Sequence, residues 1–411
     1  MELLKVVTLG EAKNILDNNF GEYRLEAETV QVSKAAGRYL AEDITAAAPV
    51  PSFRRSTMDG YALKSSDISG ASDTLPAFLK LKGEVVMGRA AETPVAPGEA
   101  VYVPTGAMVP DGADAVVMVE YTELLTADEL AVYRPVAVKQ HIIEAGDDMK
   151  VGDTVLKAGK LLRAADLGVI TSAGRSQVRV NRRPVVSVIS TGDEIVLPDA
   201  EPGPGEVRDI NSYTIAAAAE ALGCEVSGRI VVRDDETELK RVLSESLGQS
   251  DIVLLSGGSS AGKKDYSLSA IASLGGPGIQ CHGLAFKPGK PTIIANARGK
   301  AVIGLPGHPV SALLVFSILG EYLVRLVNGA EQRVESWVEA ILTDNISGAP
   351  GRETWQMVRL ERTESGYAAR PVYGESGLIT MLAGAEGSVR IPLNKEGIAS
   401  GTTVRVYLIE K

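Results

Sequence analysis

Between Pro184 and Asn328 the chain switches repeatedly between short apolar runs and amphipathic stretches, and this alternation restricts the possible fold more than any other feature. Residues 185–189 are apolar almost throughout, as a strand covered on both faces must be. Asn211 or Ser212 can cap an alanine-rich helix over 213–222, which Gly223 would end. A strand over 226–232 follows, then a helix capped by Asp234 or Asp235, running through Leu247 and ended by Gly248. Residues 251–255 read as the next strand, 266–274 as a helix with Leu268, Ile271 and Leu274 on one face, and 301–304 as another strand. The apolar helix expected over 310–327 is interrupted by Glu321 and Arg325, so it reads as a packed core helix rather than a membrane span. The sum is a doubly wound α/β unit, whose ligands belong outside the carboxyl ends of its strands.

The flanking regions have another texture. Residues 1 to about 48 read as helix-rich, with Leu9, Ala12, Ile15 and Leu16 at helical spacing. From Pro49 to about Lys150, short β-prone runs (79–86, 100–103, 115–119) are broken by turns such as Ala96-Pro97-Gly98 and Pro110-Asp111-Gly112, the pattern of a β-rich domain. Ser56–Ala62 within it reads as a turn built on Asp59-Gly60. Residues 151–179 form a connector, and 338–342, 354–360, 387–391 and 403–409 are strands of a terminal β domain. At 411 residues the chain exceeds what one core accommodates.

Charge and rare residues narrow the chemistry. With 42 basic and 52 acidic residues, a net charge of -10 argues against a nucleic-acid or anionic-membrane surface and for a small-molecule partner. Cys224 and Cys281 are too few for a disulfide framework or a Cys-rich zinc site, and His141, His282 and His308 too scattered for a multi-His centre. The first residues lack the pattern of a secretory signal, so a cytoplasmic location is expected.

The loops after the strands carry the candidate site. Ser256-Gly257-Gly258-Ser259-Ser260-Ala261-Gly262 can turn backbone N–H groups and hydroxyls toward a phosphate; its plainer reading is a turn. Thr191-Gly192-Asp193-Glu194, Arg233-Asp234-Asp235 and Leu305-Pro306-Gly307-His308-Pro309 should gather on the same rim. Carboxylates at Asp193, Glu194, Asp234 and Asp265 would repel a phosphate unless a divalent cation lay between them, which implies Mg2+. Asp235 reads as a helix cap, whereas Glu194 and Asp265 admit both a structural and a site reading. Lys287-Pro288-Gly289-Lys290-Pro291 puts two ammonium groups on a proline-stiffened loop suited to an oxyanion, or to a solvated turn. Ser311, in the first turn of a helix, either meets an anion or caps the helix.

Read in order, STMDGYA (56–62), PTGAMVPDGADAVVMVE (104–120), STGDEIV (190–196), SGGSSAGKKDY (256–266), KPGKP (287–291) and LPGHPVSAL (305–313) resemble the molybdopterin molybdenumtransferase family, MoeA, related to the E domain of gephyrin. The resemblance spans the chain. It implies a multidomain α/β plus β protein: an elongated connector domain from 1–48 and 149–180, a β-rich domain at 49–148, a molybdopterin-binding α/β domain at 181–329 and a C-terminal β domain at 330–411. It further implies a homodimer with a cleft completed by the neighbouring subunit. The implied reaction inserts molybdate into adenylyl-molybdopterin with release of AMP, aided by Mg2+, between an upstream adenylyltransferase and acceptor molybdoenzymes.

Carried over position by position, Asp59, Thr105, Asp148, Glu194, Asp234 and Asp265 fall where the family has its sensitive polar residues, with Glu194 and Asp265 toward the metal. The substrate-contacting set becomes Ser190, Thr191, Gly192, Gly257, Gly258, Ser259, Ser260, Lys287, Lys290, Pro306, Ser311 and Ser376, of which Lys290, Ser311 and Ser376 face molybdate. Several positions depart from the family pattern: Met357 stands for an arginine, Ser259 for valine, His308 for asparagine, Gly283 for lysine and Glu386 for asparagine. Arg359, two residues on and on the same strand face, is the candidate replacement for the missing arginine. Alternatives to molybdate insertion are a tungstate-inserting paralogue, a molybdopterin adenylyltransferase and a non-catalytic pterin-binding scaffold.

Overall fold

A computed structural model of the chain describes residues 6–257, 266–332 and 334–409. The alternating segment forms β1 (Val185–Thr191), α1 (Asn211–Ala221), β2 (Glu225–Val232), α2 (Glu236–Gln249), β3 (Ile252–Ser256), α3 (Tyr266–Ala272), β4 (Pro277–His282), β5 (Ile293–Ala297), β6 (Lys300–Leu305) and α4 (Pro309–Val327). Its strands make one six-stranded sheet in the order β2-β1-β3-β6-β5-β4. β2, β1, β3 and β6 are parallel, β5 runs against β6, and β4 runs against β5.

Helices cover both faces. Val186, Val188, Ile252, Leu254 and Ile303 pack with Ile215 and Ala219 of α1, with α4 and with the N-terminal helix Leu9–Phe20. Ile189, Val253, Leu255 and Val302 face α2 and α3 on the other side. Adjacent residues therefore point to opposite cores, which is why these strands read as continuous apolar runs. Leu254 and Leu255 are both 0% exposed, and each such side chain contributes about 1.5–3 kcal/mol. α4 lies in the same core and is interrupted by a π-helical turn, Phe316–Gly320. A Cβ on Gly320 would come within 2.3 Å of the Phe316 ring, so glycine is needed there.

β4 and β5 were not expected from the sequence, and they matter for the site. β5 joins β6 through Arg298-Gly299, both at positive φ (55 and 84), the geometry of a two-residue type I′ hairpin. Because β5 is antiparallel, Ile293 stands beside Gly304 near the carboxyl end of β6. The preceding loop, which carries Lys287–Pro291, is thereby held at the rim where β1, β2, β3 and β6 end.

The other regions surround this unit. Ala27–Gln31 pairs with Gln177–Asn181 and Ile44–Thr45 with Thr154–Leu156, so segments far apart in sequence share a small core that includes Leu40, Ile44, Leu156 and Ile170. Between them lies a six-stranded sheet that includes Ala77–Glu84, Glu99–Val103 and Ala115–Met118. Toward the C-terminus Glu353–Thr363, Gly366–Pro371, Trp337–Leu342, Thr403–Leu408 and Gly387–Ile391 pair in a ring that closes on itself. Phe286–Lys287 pairs in parallel with Glu353 and Thr354 at the start of the longest strand of that ring, tying the lysine loop to the terminal sheet.

Three local expectations are corrected. Gly60–Leu63, read as part of a turn, is a fully buried strand; a Cβ on Gly60 would lie 2.0 Å from the Val117 carbonyl oxygen. Gly248 does not end α2, which continues to Gln249. Neither Asn211 nor Ser212 caps α1: the Asp209 carboxylate accepts from the Ser212 N–H at 3.1 Å, and Asn211 is already helical.

Candidate functional site

Close backbone approach organises the rim. Gly257, just past β3, has φ +102, and a Cβ there would fall 2.1 Å from the Thr191 carbonyl oxygen. Only glycine lets the loops after β1 and β3 meet so closely. The Thr191 hydroxyl, from a buried residue, donates to Asp234 Oδ1 at 2.9 Å, and the Asp234 N–H donates to Asp193 Oδ1 at 3.2 Å, so the loop after β2 joins them. Asp235 caps α2 by accepting from the Glu238 N–H at 2.7 Å, as its cap reading holds.

Beneath this surface lies a polar layer. Asp209, 5% exposed, accepts from the Ser190 hydroxyl at 2.9 Å and from both the N–H and hydroxyl of Ser212. Asn211 Nδ2 donates to Ser256 Oγ at 2.6 Å and to the Gly307 carbonyl at 2.8 Å, tying the start of α1 to the ends of β3 and β6. Its Oδ1 is buried and has no hydrogen-bond partner among the described residues, a condition that costs roughly 1–3 kcal/mol.

On the far side of the rim, Thr292 Oγ1 donates to the Gly289 carbonyl at 2.8 Å, while the Lys290 carbonyl accepts from the N–H groups of Leu284 and Thr292. The loop backbone is fixed, but the side chains of Lys287 and Lys290 are exposed, and neither forms an ion pair among the described residues. Ser311 is buried in the first turn of α4, behind Pro309, which supplies a fixed φ and lacks an N–H that the helix start cannot use. The terminal region docks against this turn: Val310 N–H donates to the Ser376 carbonyl at 3.0 Å, and Ser376 Oγ lies 2.6 Å from His308 Nδ1.

These elements enclose a cleft of about 1090 Å³ between the sheet rim and the terminal β region. Both signs of charge line it, Arg208 and Glu375 among them. Glu194 and Asp234 lie where β1 and β2 end, whereas Lys287 and Lys290 lie before β5. Three interstrand steps separate β1 from β5 in the sheet, about 14 Å at the usual spacing. An elongated ligand can present one anionic group to each end. Among the described residues no group of three or more His, Cys, Asp or Glu is placed to hold a metal ion. Glu194 is an exposed oxygen donor folded over Gly192, which fits a magnesium ion ligated mainly by water and substrate phosphate.

Of the residues expected at the site, Thr191, Gly192, Glu194, Asp234, Gly257, Lys287, Lys290, Pro306, Ser311 and Ser376 line this cleft. Gly258, Ser259, Ser260 and Asp265 lie outside the described residues. Ser190 is 0% exposed and positions Asp209 instead of facing the cleft. Asp59 and Thr105 form a separate exposed pair in the β-rich region: the backbone N–H of Thr105 at 2.7 Å and its hydroxyl at 3.0 Å hold the Asp59 carboxyl below its usual range. Asp148 is also exposed and outside the cleft, its N–H donating to the Val50 carbonyl.

Arg359 does not replace the missing arginine. Met357 lines the cleft and is buried, while Arg359 lies outside it, exposed, with Nε donating to the Gly384 carbonyl at 3.3 Å. Two residues along an extended strand advance about 6.6 Å, enough to carry the side chain past the cleft. Arg352, before the strand, lines the cleft instead. Glu386 accepts from the Leu360 N–H at 2.6 Å, a structural contact. Asp209, Asn211, Arg352 and Tyr373 were missed; the Asp-x-Asn spacing before an alanine-rich helix was visible, but a cap explained it equally well.

Comparison with known proteins gives three consecutive matches. Residues 7–174 match the MoeA N-terminal region (domain I and II), 187–325 a probable molybdopterin binding domain, and 339–409 the MoeA C-terminal region (domain IV). The molybdopterin molybdenumtransferase of Staphylococcus aureus strain Mu50 is 32% identical over 387 residues, covering 94% of this chain and 92% of the relative. Molybdopterin molybdenumtransferase 2 of Mycobacterium tuberculosis strain H37Rv is 31% identical over 383 residues, covering 92% of this chain and 94% of its own. Among solved structures, the molybdopterin biosynthesis moeA protein of Pyrococcus horikoshii OT3 superposes with a TM-score of 0.81 at 31% identity, covering 98% of this chain and all of that one.

Proposed function

Because the chain belongs to the MoeA family of molybdopterin molybdenumtransferases and so inserts molybdenum in molybdenum cofactor biosynthesis, we propose that its cleft holds adenylyl-molybdopterin and molybdate together. The observation that carries this reading is one cleft that brings the carboxylates Glu194 and Asp234, with Arg208 nearby, together with Lys287, Lys290, Ser311 and Ser376. The pyrophosphate of the substrate takes the carboxylate side and molybdate the lysine side. Magnesium, when bound, would neutralise the repulsion between phosphate and carboxylate, with Glu194 and Asp265 as its protein donors.

The lysine loop reaches the oxyanion as point charges on a fixed backbone, so little ordering is lost on binding. Ser311 donates its hydroxyl and its own N–H to the same anion, the Val310 N–H being taken by the Ser376 carbonyl, and Ser376 approaches from the terminal region with His308 at its hydroxyl. In the insertion step two dithiol sulfurs bind molybdenum, and their protons leave with one oxo group as water. The phosphoanhydride is broken by water, whose oxygen adds to phosphorus as AMP departs.

Asp59 and Thr105 lie outside this cleft, and in our reading they complete the cleft of a second copy in a cytosolic homodimer. The same reading divides the chain into a connector (1–48 with 149–180), a β-rich domain (49–148), an α/β domain (181–329) and a C-terminal β domain (330–411). The test is release of AMP from adenylyl-molybdopterin by the purified protein with Mg2+ and molybdate. Release is expected to fall sharply in Lys290→Ala and in Asp59→Ala, and to recover when the two variant chains are mixed and allowed to exchange. No AMP release by the wild type would overturn the reading. Failure of the mixture to recover would overturn the composite cleft.

A further inference from the structure

The strand Glu353–Thr363 borders the cleft beside the lysine loop, and its pairing fixes which side chains share a face. Lys287 lies opposite Thr354 and Phe286 opposite Glu353 in the parallel pair, so Lys287 and Thr354 point one way and Phe286 and Glu353 the other. The contacts agree. The Trp355 ring meets Phe286 edge-on at 5.5 Å, and Trp355 Nε1 donates to Glu353 Oε1 at 2.5 Å, which places these residues together on the second face. Arg352, Thr354 and Gln356, at two-residue spacing, share the first face with Lys287, and all of them line the cleft.

Thr354 and Gln356 are committed to the backbone. Thr354 Oγ1 accepts from the Ala349 N–H at 3.1 Å, and Gln356 Nε2 donates to the Met357 and Val372 carbonyls at 3.1 and 2.8 Å. The Arg352 guanidinium is committed to nothing: half-buried, it forms no ion pair and no side-chain hydrogen bond among the described residues, the cleft carboxylates Glu194, Asp209, Asp234 and Glu375 included. Its chain neighbour Glu353 points to the other face and is held by Trp355. The Arg352 backbone is fixed, its N–H donating to the Ala349 carbonyl at 3.0 Å. With strands about 4.8 Å apart and two residues advancing about 6.6 Å, its Cα lies roughly 8 Å from that of Lys287. A half-buried guanidinium with every N–H donor unspent, on the same face as an unpaired ammonium group, is built for an anion.

We propose that Arg352 is a further substrate-binding residue, whose guanidinium holds two oxygens of the molybdate that Lys287 and Lys290 attract. The inference rests on the reading of the cleft given above. A tetrahedral oxyanion presents paired oxygens that match the planar fork of an arginine, whereas a lysine meets it as a point charge and leaves its orientation free.

The test follows AMP release by the full-length protein as molybdate is varied. In Arg352→Gln the molybdate concentration for half-maximal rate is expected to rise at least about tenfold, the loss of a charge-assisted pair, with the rate at saturating molybdate within about threefold of wild type. Arg352→Lys, which keeps the charge and loses the fork, should fall between the two. AMP alone should bind both variants within about twofold of wild type. Unchanged half-saturation in a folded Arg352→Gln overturns the proposal, and so does an equal loss of AMP affinity, which would assign the guanidinium to phosphate. A lysine variant equal to wild type overturns the two-point contact. Should neither variant fold, protection of Arg352 from phenylglyoxal by molybdate in the wild type, read by peptide mass, decides: protection supports the contact, and modification at an unaltered rate overturns it. A wild type that releases no AMP sinks the substrate reading together with this inference, whereas a wild type that turns over while indifferent to Arg352 sinks this inference only.

Discussion

The two ends of the central sheet are built from similar residues and finished differently. At the amino end, Asp251 accepts two hydrogen bonds from Arg182, both at 2.7 Å, one from the Tyr23 hydroxyl at 2.6 Å and one from the Val185 N–H at 2.7 Å. The hydroxyls of Ser187, Ser227 and Ser250 bond to one another beside it. At the carboxyl end, Asn211 Oδ1 is unpaired and Lys287 and Lys290 have no ion-pair partner among the described residues. Charge is plentiful at both ends. A buried Ser246 Oγ in the last turn of α2, toward the amino end, is unpaired as well, so what sets the carboxyl end apart is an unpaired amide oxygen together with two exposed lysines that no described carboxylate neutralises.

The comparison breaks most visibly at Asp251. Asp251→Ala removes the acceptor that joins the N-terminal region, the linker and β3, leaves the Arg182 guanidinium without its partner, and should cost roughly 3–5 kcal/mol in urea denaturation. Ligand affinity under native conditions should stay within about twofold of wild type, since a structural network alone is lost. A small stability loss coupled to a large affinity loss would reverse the roles assigned to the two ends.

Gly257→Ala probes the other edge. Its φ of +102 and the 2.1 Å approach of a Cβ to the Thr191 carbonyl demand a backbone shift, expected to cost roughly 1–3 kcal/mol. Here affinity should fall as well, because the same shift separates the loops after β1 and β3. Unchanged affinity would show that their close approach serves folding alone.

Acid sharpens the contrast further. Burial alone would raise the Asp251 pKa, but hydrogen bonds from Arg182, Tyr23 and Val185, with the guanidinium charge, outweigh it and hold the carboxyl below its usual range. A group whose pKa is lowered by folding stabilises fully above its unfolded value, near 4, and loses that contribution as pH falls through the folded value. Denaturation midpoints measured downward from pH 6 should therefore drop below about pH 4 more steeply in the wild type than in Asp251→Asn. Parallel curves would remove Asp251 from the acid response. The Tyr23 hydroxyl, pushed up to about 12 by burial and by Asp251, stays protonated throughout that range.

How far all this could be read beforehand depends on how local the signal is. The parallel strands and their helices were legible because each carries its own apolar run, cap or breaker, and the strand-end loops followed from that topology. β4 and β5 were not. Pro277-Gly278 opens one, Asn296 interrupts the other, and their pairing depends on a hairpin at Arg298-Gly299 that lacks the usual Asn-Gly signature. Yet those strands explain why Lys290 shares a rim with Asp234. Arg359 failed for a related reason: alternation assigns a strand face but not the distance at which a cleft ends. Asn211 was visible only as a cap candidate, because an unpaired acceptor is a property of packing.

The smallest expected stability effect lies at Thr191. Thr191→Val keeps the shape and the β-branched side chain at a buried strand end, and removes only the hydroxyl that donates to Asp234. A single neutral donor to a carboxylate exposed on its other side should be worth about 0.5–1.5 kcal/mol to folding, well below the Asp251 network. Its function should suffer more than its stability. Freed from Thr191, the Asp234 carboxylate keeps no hydrogen bond among the described residues, only the backbone N–H of Asp234 staying tied to Asp193, and the fixed charge at that end of the cleft becomes mobile. Ligand affinity is expected to fall about tenfold, and Thr191→Ser, which restores the hydroxyl, should recover most of it. A valine variant as destabilised as Asp251→Ala, with affinity intact, would show the carboxyl end to be as structurally committed as the amino end and would remove the distinction between them.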